Sequence, residues 1–348
     1  MDTQLKNLLD LNKEELDEIV KSLNQPKFRS KQLWEWLYKG ADFSQMTNLP
    51  ESFRKQLEAN YITGKPDIQM KFCSQIDDTI KYLFKLHDGN YIESVLMKYK
   101  YGYSVCVSTQ VGCKMGCTFC ASTQAGFVRN LTSGEILGQI IAINCDLNIR
   151  IGHVVLMGIG EPLDNYDNVL SFLKKAQSAE GLGISYRNIS LSTCGLADKV
   201  IKLSEEELPI TLSISLHSPF DEQRSEMMPV NRKYPLDKLL DACNIYILNT
   251  GRRITYEYAL IEGVNDTKEH AACLISLLKG KLCHINLIPI NKVKGTGYEK
   301  ATQKNIIAFQ EMLEKGGINA TIRRTLGQDI EAACGQLRRE RMEIGGND

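Results

Sequence analysis

The sequence predicts an α/β fold: a partial parallel β/α barrel preceded by a helical accessory domain and a small β-hairpin extension. Three observations predict it. After residue 102, short apolar runs alternate with longer helical patterns, as parallel β/α units require. Before residue 62 the periodicity is helical, and Gly64-Lys65-Pro66 breaks it. Between the two, DTIKYLFKLHDGNYIESVLMKY reads as two strands around the turn His87-Asp88-Gly89-Asn90.

In the accessory domain, residues 1–64, Leu5, Leu8, Leu9 and Leu11 precede an acidic helix around KEELDEIVKSL. Ser30 is placed to cap RSKQLWEWLYKG, which ends at Gly40, and Asn48-Leu49-Pro50 precedes the helix ESFRKQLEAN. Residues 65–101 make the hairpin extension. Residues 102–348 make the barrel, with strands expected in YSVCVST, HVVLMGIG, NISLSTCG, ITLSISLHS, ITYEYALIEG, CHINLIPI and ATIRRTLG. Helices are expected in SGEILGQIIAIN, NVLSFLKKAQS, LADKVIKLSEE, PLDKLLDACNIYI, EHAACLISLLKG and QKNIIAFQEMLEKG. These make about six to seven units, too few for a full eightfold barrel. The polar motifs fall at the C-terminal ends of the strands, where such folds place their ligands.

A chain of 348 residues, 43% hydrophobic and 24% charged, suits a large globular domain with an appendage. Its first residues, MDTQLKNLLDLNKEELDEIV, are charged throughout, unlike a secretory signal or basic transit peptide. No apolar run approaches the roughly eighteen residues that would span a bilayer. A cytoplasmic, monomeric protein with no membrane partner is expected. Eleven cysteines without a secretory signal indicate reduced thiols, some serving as ligands or catalysts. Cys73, Cys145, Cys194, Cys243, Cys273 and Cys283 stand apart and read as small buried apolar side chains. A net charge of zero supplies no bulk attraction to nucleic acid. Locally, Lys21, Lys27, Arg29, Lys31 and Lys39 are interleaved with Phe28, Trp34, Trp36 and Tyr38, which could pair with phosphates and stack on bases. The same pattern also suits an amphipathic helix with a solvated basic face.

The chemistry concentrates in CKMGCTFC. Cys113, Cys117 and Cys120 have the spacing C-x3-C-x2-C in a loop after a predicted strand. Structural zinc sites usually show two separated pairs or a Cys/His mixture, whereas three thiolates can hold three corners of a 4Fe–4S cluster. A zinc site completed by Cys106 or a remote cysteine is the alternative.

With Gly158-Ile159-Gly160-Glu161-Pro162, this spacing resembles the radical S-adenosylmethionine (SAM) superfamily. CVSTQVGCKMGCTFCASTQAGFVRNLT, SLHSP, MPVNRKYP, GVND, HINLIPIN and DIEAACGQL extend the resemblance over nearly the whole chain, to the RlmN/Cfr family of RNA adenosine methyltransferases. The resemblance implies a partial (β/α)6-type radical SAM barrel. It implies a 4Fe–4S cluster on Cys113, Cys117 and Cys120, and two SAM molecules per methylation. It places cofactor contacts at Gly160, Glu161, Ser192, Ser215, Leu216, His217 and Asn291. Ile159 departs conservatively from the family's usual methionine. The resemblance further implies that Cys334 carries the methyl group as S-methylcysteine and bonds covalently to the RNA. Cys106 would resolve that adduct through a transient disulfide with Cys334, and Glu93 would accept a proton. The implied substrates are adenosine in 23S rRNA, at the peptidyl transferase centre, and in tRNA, next to the anticodon. The implied electron donor is a flavodoxin or ferredoxin. FRSKQLWEWLYKG and residues 126–130 favour the carbon 2 branch over the carbon 8 branch. Arg129, Arg252, Arg253, Arg323, Arg324, Arg338 and Arg339 could meet phosphates of a substrate whose target base is splayed out. A zinc-stabilised, non-catalytic RNA-binding protein is the alternative from another class.

Overall fold

The ten longer strands lie side by side in one sheet and follow sequence order from edge to edge. They are seen in a computed structural model, in which residues 5–291, 296–332 and 336 are described. From one edge run β1 (Asp67–Cys73), β2 (Ile80–Lys85), β3 (Tyr91–Tyr99) and β4 (Gly102–Cys106), each antiparallel to the next. The connections here are short, and short turns can join only antiparallel neighbours. From β4 the sheet continues parallel through β5 (Ile151–Leu156), β6 (Ile189–Thr193), β7 (Thr211–Ser215), β8 (Ile254–Leu260), β9 (Cys283–Pro289) and β10 (Ala320–Ile322). Among the described residues β10 pairs with β9 alone, so the parallel part is a partial barrel.

Two features of the sheet differ from the sequence expectation. The hairpin gains a further strand, β1, whose mostly exposed side chains leave no apolar alternation to read. The extension also shares its sheet with the barrel, through the pairing of β3 with β4.

The N-terminal helices are α1 (Lys13–Ser22), α2 (Phe28–Tyr38) and α3 (Glu51–Glu58). Asn12 and Glu15 form a reciprocal capping box at the start of α1. Ser30, expected as a cap, lies inside α2, which begins earlier. The crossovers of the barrel are α4 (Ser133–Leu147), α5 (Tyr166–Gln177), α6 (Ala197–Glu205), α7 (Asp221–Met227), α8 (Leu236–Thr250), α9 (Lys268–Leu278) and α10 (Gln303–Lys315). Only α7 was not expected. Seven residues with Arg224 and Met227 as their buried members present no apolar stripe. Helix α4 starts on the capping box of Thr132 and Glu135, and its apolar side chains are buried along most of its length.

Leu33 and Phe53 belong to the same continuous core as Ile140 and Ile214, so the N-terminal helices pack directly on the barrel. Polar contacts fix that seam. Trp34 Nε1 donates to the Glu180 carbonyl at 2.8 Å, and the Gly134 amide donates to Asp10 Oδ1 at 2.6 Å. A second, smaller apolar cluster joins Val95, Met97, Cys106, Ile159 and Ala332. No helix among the described residues is long and apolar enough to cross a membrane.

Candidate active site

Beyond β4 the chain makes a loop whose base is closed by the two-residue strands Gln110–Val111 and Arg129–Asn130. Val128 N donates to the Val111 carbonyl at 2.8 Å, and Gly112 sits at φ +74° against the Gly126 backbone. The loop carries Cys113, Cys117 and Cys120 over the C-terminal ends of the parallel strands. All three line one cavity with Gly160, Glu161, Ser192, Ser215 and His217. Eight of the residues marked in the sequence for cluster and cofactor, from four separate chain segments, converge here.

Burial pushes the Cys113 thiol up to about 12, with Cys120 and Glu161 adding to the effect. Burial likewise raises Cys117 well above the ordinary range, helped by Cys120 and Cys113. Neighbouring thiolates without a cation repel one another, whereas a coordinated metal deprotonates a thiol outright. The donor set therefore suits a metal cluster. Among the described residues no three His, Cys, Asp or Glu side chains converge as a single metal ion requires. A four-iron cluster takes its thiolates on different irons and needs no such convergence.

Glu161 is fixed by backbone from two strand ends. Its Oε1 accepts from Leu163 N at 2.9 Å and its Oε2 from Cys194 N at 2.7 Å. Burial raises its pKa, and these backbone donors oppose the rise. The side chains of Cys194 and Thr193 hydrogen-bond the same carboxylate, which holds this acidic group fixed in the cavity wall.

His217 adopts φ +56°, and its Nδ1 accepts from Ala259 N at 2.9 Å. That bond assigns the proton to Nε2. Burial, reinforced by the charge of Arg224, pushes its pKa down to about 3, so the ring is neutral. Its ring meets Phe119 edge-on, 4.8 Å between centroids.

Arg224 was not expected from sequence. Its fully buried guanidinium donates to the carbonyls of Leu216, Cys194 and Ser215 at 3.1, 2.8 and 2.9 Å. It thus ties together the ends of β6 and β7 that carry the predicted cofactor contacts. Leu216 contributes to this through its carbonyl; its side chain lies in the core and not on the cavity wall. Glu257 was missed as well. It is buried in the cavity wall, accepts from Asn286 Nδ2 at 2.8 Å and lies 3.8 Å from the Arg323 guanidinium. A carboxylate within the apolar run ITYEYALI was the signal that could have found it.

A second cavity adjoins the first, sharing Met157, Ile288 and Arg323. Its wall includes Cys106, Asn291, Val95 and Ala332. Cys106 ends β4 in register with Val95. Glu93 precedes Val95 by two residues on the same face of β3. Its buried carboxylate lies 3.3 Å from Lys81 Nζ. Lys81 escaped sequence reading because a lysine in a strand ordinarily faces water. Cys334, Arg338 and Arg339 lie outside the described residues.

Of the arginines considered for phosphate contact, Arg129 is already engaged. It donates to both carboxylate oxygens of Glu135 at 2.7 and 2.8 Å and to Asp88 at 2.7 Å, bracing the base of the cysteine loop. Arg252 Nε donates to the Ile210 carbonyl at 2.8 Å. On α2, Trp34 is buried and Trp36 Nε1 donates to Asn48 Oδ1, so both indoles serve packing, whereas Phe28 is exposed.

The sequence model of the radical SAM superfamily matches residues 107–274. That of the ribosomal RNA large subunit methyltransferase N-terminal domain matches residues 6–62. A protein of Clostridium novyi (strain NT), described as a probable dual-specificity RNA methyltransferase RlmN, is 52% identical over 96% of this chain and 98% of its own. One of Thermoanaerobacter sp. (strain X514), with the same description, is 50% identical over 96% and 98%. The crystal structure of a radical SAM methyltransferase from Sphaerobacter thermophilus superposes with a TM-score of 0.93 at 39% identity, covering 96% of this chain and 100% of that one.

Proposed function

The chain belongs to the RlmN family of the radical SAM superfamily, and from that premise we propose that it methylates carbon 2 of adenosine in 23S rRNA and in tRNA. One observation carries the reading. The cavity holding Cys106 adjoins the one lined by Cys113, Cys117 and Cys120, across Met157, Ile288 and Arg323, and is walled by Ala332, two residues before Cys334.

In this reading Cys113, Cys117 and Cys120 hold a 4Fe–4S cluster. Glu161, Ser192, Ser215, His217 and Asn291 orient the SAM bound to it, with Gly160 giving close backbone approach and Leu216 acting through its carbonyl. The cluster and SAM together supply a hydrogen-abstracting radical, which carbon 2 requires because it is electron-poor and bears a C–H bond. Cys334 accepts a methyl group from a first SAM molecule. Its S-methyl group would lose a hydrogen atom to the radical generated from a second. Its carbon would then bond to carbon 2 as the adduct gives up the carbon 2 proton and returns one electron to the cluster. Glu93 accepts the proton released from the ring. The Cys106 thiolate would then attack the Cys334 sulfur, forming a disulfide as the Cys334 S–C bond breaks. The released carbon would take up a proton to leave the methylated RNA. Neutral His217, its Nδ1 engaged by Ala259 N, offers Nε2–H as a fixed donor and adds no charge to the site. Residues 1–64 form a module that contacts RNA, 65–101 extend the sheet, and 102–348 form the catalytic core. The enzyme works as a cytoplasmic monomer supplied with electrons by a flavodoxin or ferredoxin.

The test is Cys334→Ala in cluster-reconstituted enzyme with an RNA substrate, with nucleoside products identified by mass spectrometry. Loss of 2-methyladenosine is expected. Continued RNA methylation by the variant would remove Cys334 from the mechanism, and 8-methyladenosine as the wild-type product would move the chemistry to carbon 8. Charge reversal across residues 27–39 should weaken RNA binding; unchanged affinity would remove the N-terminal module from the interface.

A further inference from the structure

Residues 326–332 lead directly into Cys334, and the β1–β2 turn holds them through side chains. Asp329 uses both carboxylate oxygens: Oδ1 accepts from Ser74 Oγ and Oδ2 from Gln75 N, each at 2.7 Å. Asp77 does the same in the opposite direction, with Oδ1 accepting from Thr79 N and Oδ2 from Gly327 N, each at 2.9 Å. Lys81, on β2, reaches the Glu331 carbonyl at 3.5 Å while it pairs with Glu93. Gly327 lies at φ +61°, where a Cβ would stand 2.8 Å from both Thr79 Cγ2 and Ala332 Cβ. On its other side the segment packs Leu326, Ile330 and Ala332 against Val95, Met97 and Cys106.

We propose that Asp77 and Asp329 are positioning residues that latch the 326–332 segment to the β1–β2 turn and so set the reach of Cys334 toward Cys106 and the cluster cavity. This rests on the role proposed for Cys334. The bonds differ from ordinary surface contacts in joining two carboxylates reciprocally to backbone N–H groups about 250 residues apart in sequence. Each oxygen has its own donor, so an asparagine keeps the size of the side chain and loses one of its two acceptors. A segment misplaced by about 1 Å can slow a reaction up to about a hundredfold without touching the substrate.

The experiment compares wild type, Asp77→Asn, Asp329→Asn and the double variant as reconstituted full-length enzymes. It reads kcat and KM for RNA, iron per chain, melting temperature, and hydrogen exchange in peptides covering 325–332. The expected result is faster exchange in those peptides and a kcat lower by about tenfold in each single variant. KM, iron and melting temperature should stay at wild-type values. Asp77→Glu and Asp329→Glu, which keep both acceptor oxygens, should recover part of the rate. Faster exchange with an unchanged kcat overturns the proposal, as does a lower kcat that follows loss of iron or of melting temperature. If Cys334→Ala keeps RNA methylation, it is the catalytic role of Cys334 that falls; faster exchange in the variants would then still register the latch as a physical contact.

Discussion

The two cysteine-bearing segments of this molecule are held in opposite ways. The loop carrying Cys113, Cys117 and Cys120 is closed mostly by backbone: the pairing of Gln110–Val111 with Arg129–Asn130, the Val128 N bond to Val111, and Thr118 N donating to the Met227 carbonyl at 3.0 Å. The segment leading to Cys334 is held to the sheet extension, far away in sequence, through side chains of both: Asp329 of the segment, and Ser74 and Asp77 of the extension. The first arrangement suits the proposed cluster ligands, three cysteines kept in a fixed relation. The second suits the role proposed for Cys334, which would meet different partners in turn. Backbone closure resists small changes, whereas a side-chain latch can be loosened one bond at a time.

Substitutions can break or sharpen this contrast, beginning with the largest effect. Cys117→Ser should lose iron and abolish RNA methylation, measured by iron content and product mass; full activity in an iron-depleted variant would end the cluster assignment. Arg224→Met should cost about 4 kcal/mol, because the carbonyls of Cys194 and Ser215 and the Asn231 side-chain oxygen would lose this buried donor, while the Leu216 carbonyl keeps Ser218 N. Urea unfolding measures this, and a loss below about 1 kcal/mol would mean that the strand ends find other partners.

Gly112→Ala tests backbone closure directly. Its Cβ would fall 1.7 Å from the Gly126 carbonyl oxygen at φ +74°, and a backbone atom there cannot step aside. A cost of about 3 kcal/mol in the closed loop is expected, read as poorer iron loading on reconstitution. Gly327→Ala is its counterpart in the other segment. The obstructing atoms are methyl groups 2.8 Å away, and with the positive φ the cost should be about 1–2 kcal/mol. Iron loading should stay normal while RNA turnover slows. Equal effects of the two substitutions on iron would dissolve the contrast.

The smallest effect belongs to Arg129→Gln, at the base of the cysteine loop. Burial tends to raise the Asp88 pKa, but hydrogen bonds from Arg129 and Asn90 outweigh it and bring the carboxyl to about 2. A carboxyl depressed in the folded state contributes stability that is present above its unfolded pKa, near 4, and lost as pH falls toward 2. The pair is partly exposed, so its contribution at neutral pH is about 1 kcal/mol. Thermal unfolding should show wild type ahead of the variant at pH 7 and the gap narrowing below pH 4. A gap that widens in acid would mean that Asp88 is not the partner that matters.

Much of this molecule was legible in the chain. The three cysteines stand within eight residues, and Gly160-Glu161 and Ser215-Leu216-His217 are contiguous, because ligands at strand ends come in short local motifs. Capping boxes at Asn12 and Thr132 start helices where local chemistry alone places them. What escaped were groups whose meaning comes from distant neighbours. Arg224 and Lys81 look like surface charges until folding surrounds them with carbonyls and a carboxylate. Arg129 looked free for phosphate until Glu135 and Asp88 closed on it.

The succession of strands and helices in the barrel and the family were thus legible in sequence alone, because apolar periodicity and motif spacing are properties of neighbouring residues. Only the tertiary structure decided that the hairpin continues the barrel's sheet, that Cys106 faces Ala332, and that Asp77 and Asp329 meet the segment before Cys334. Those facts depend on strand register and on contacts about 250 residues apart, which arise only when the whole sheet has formed.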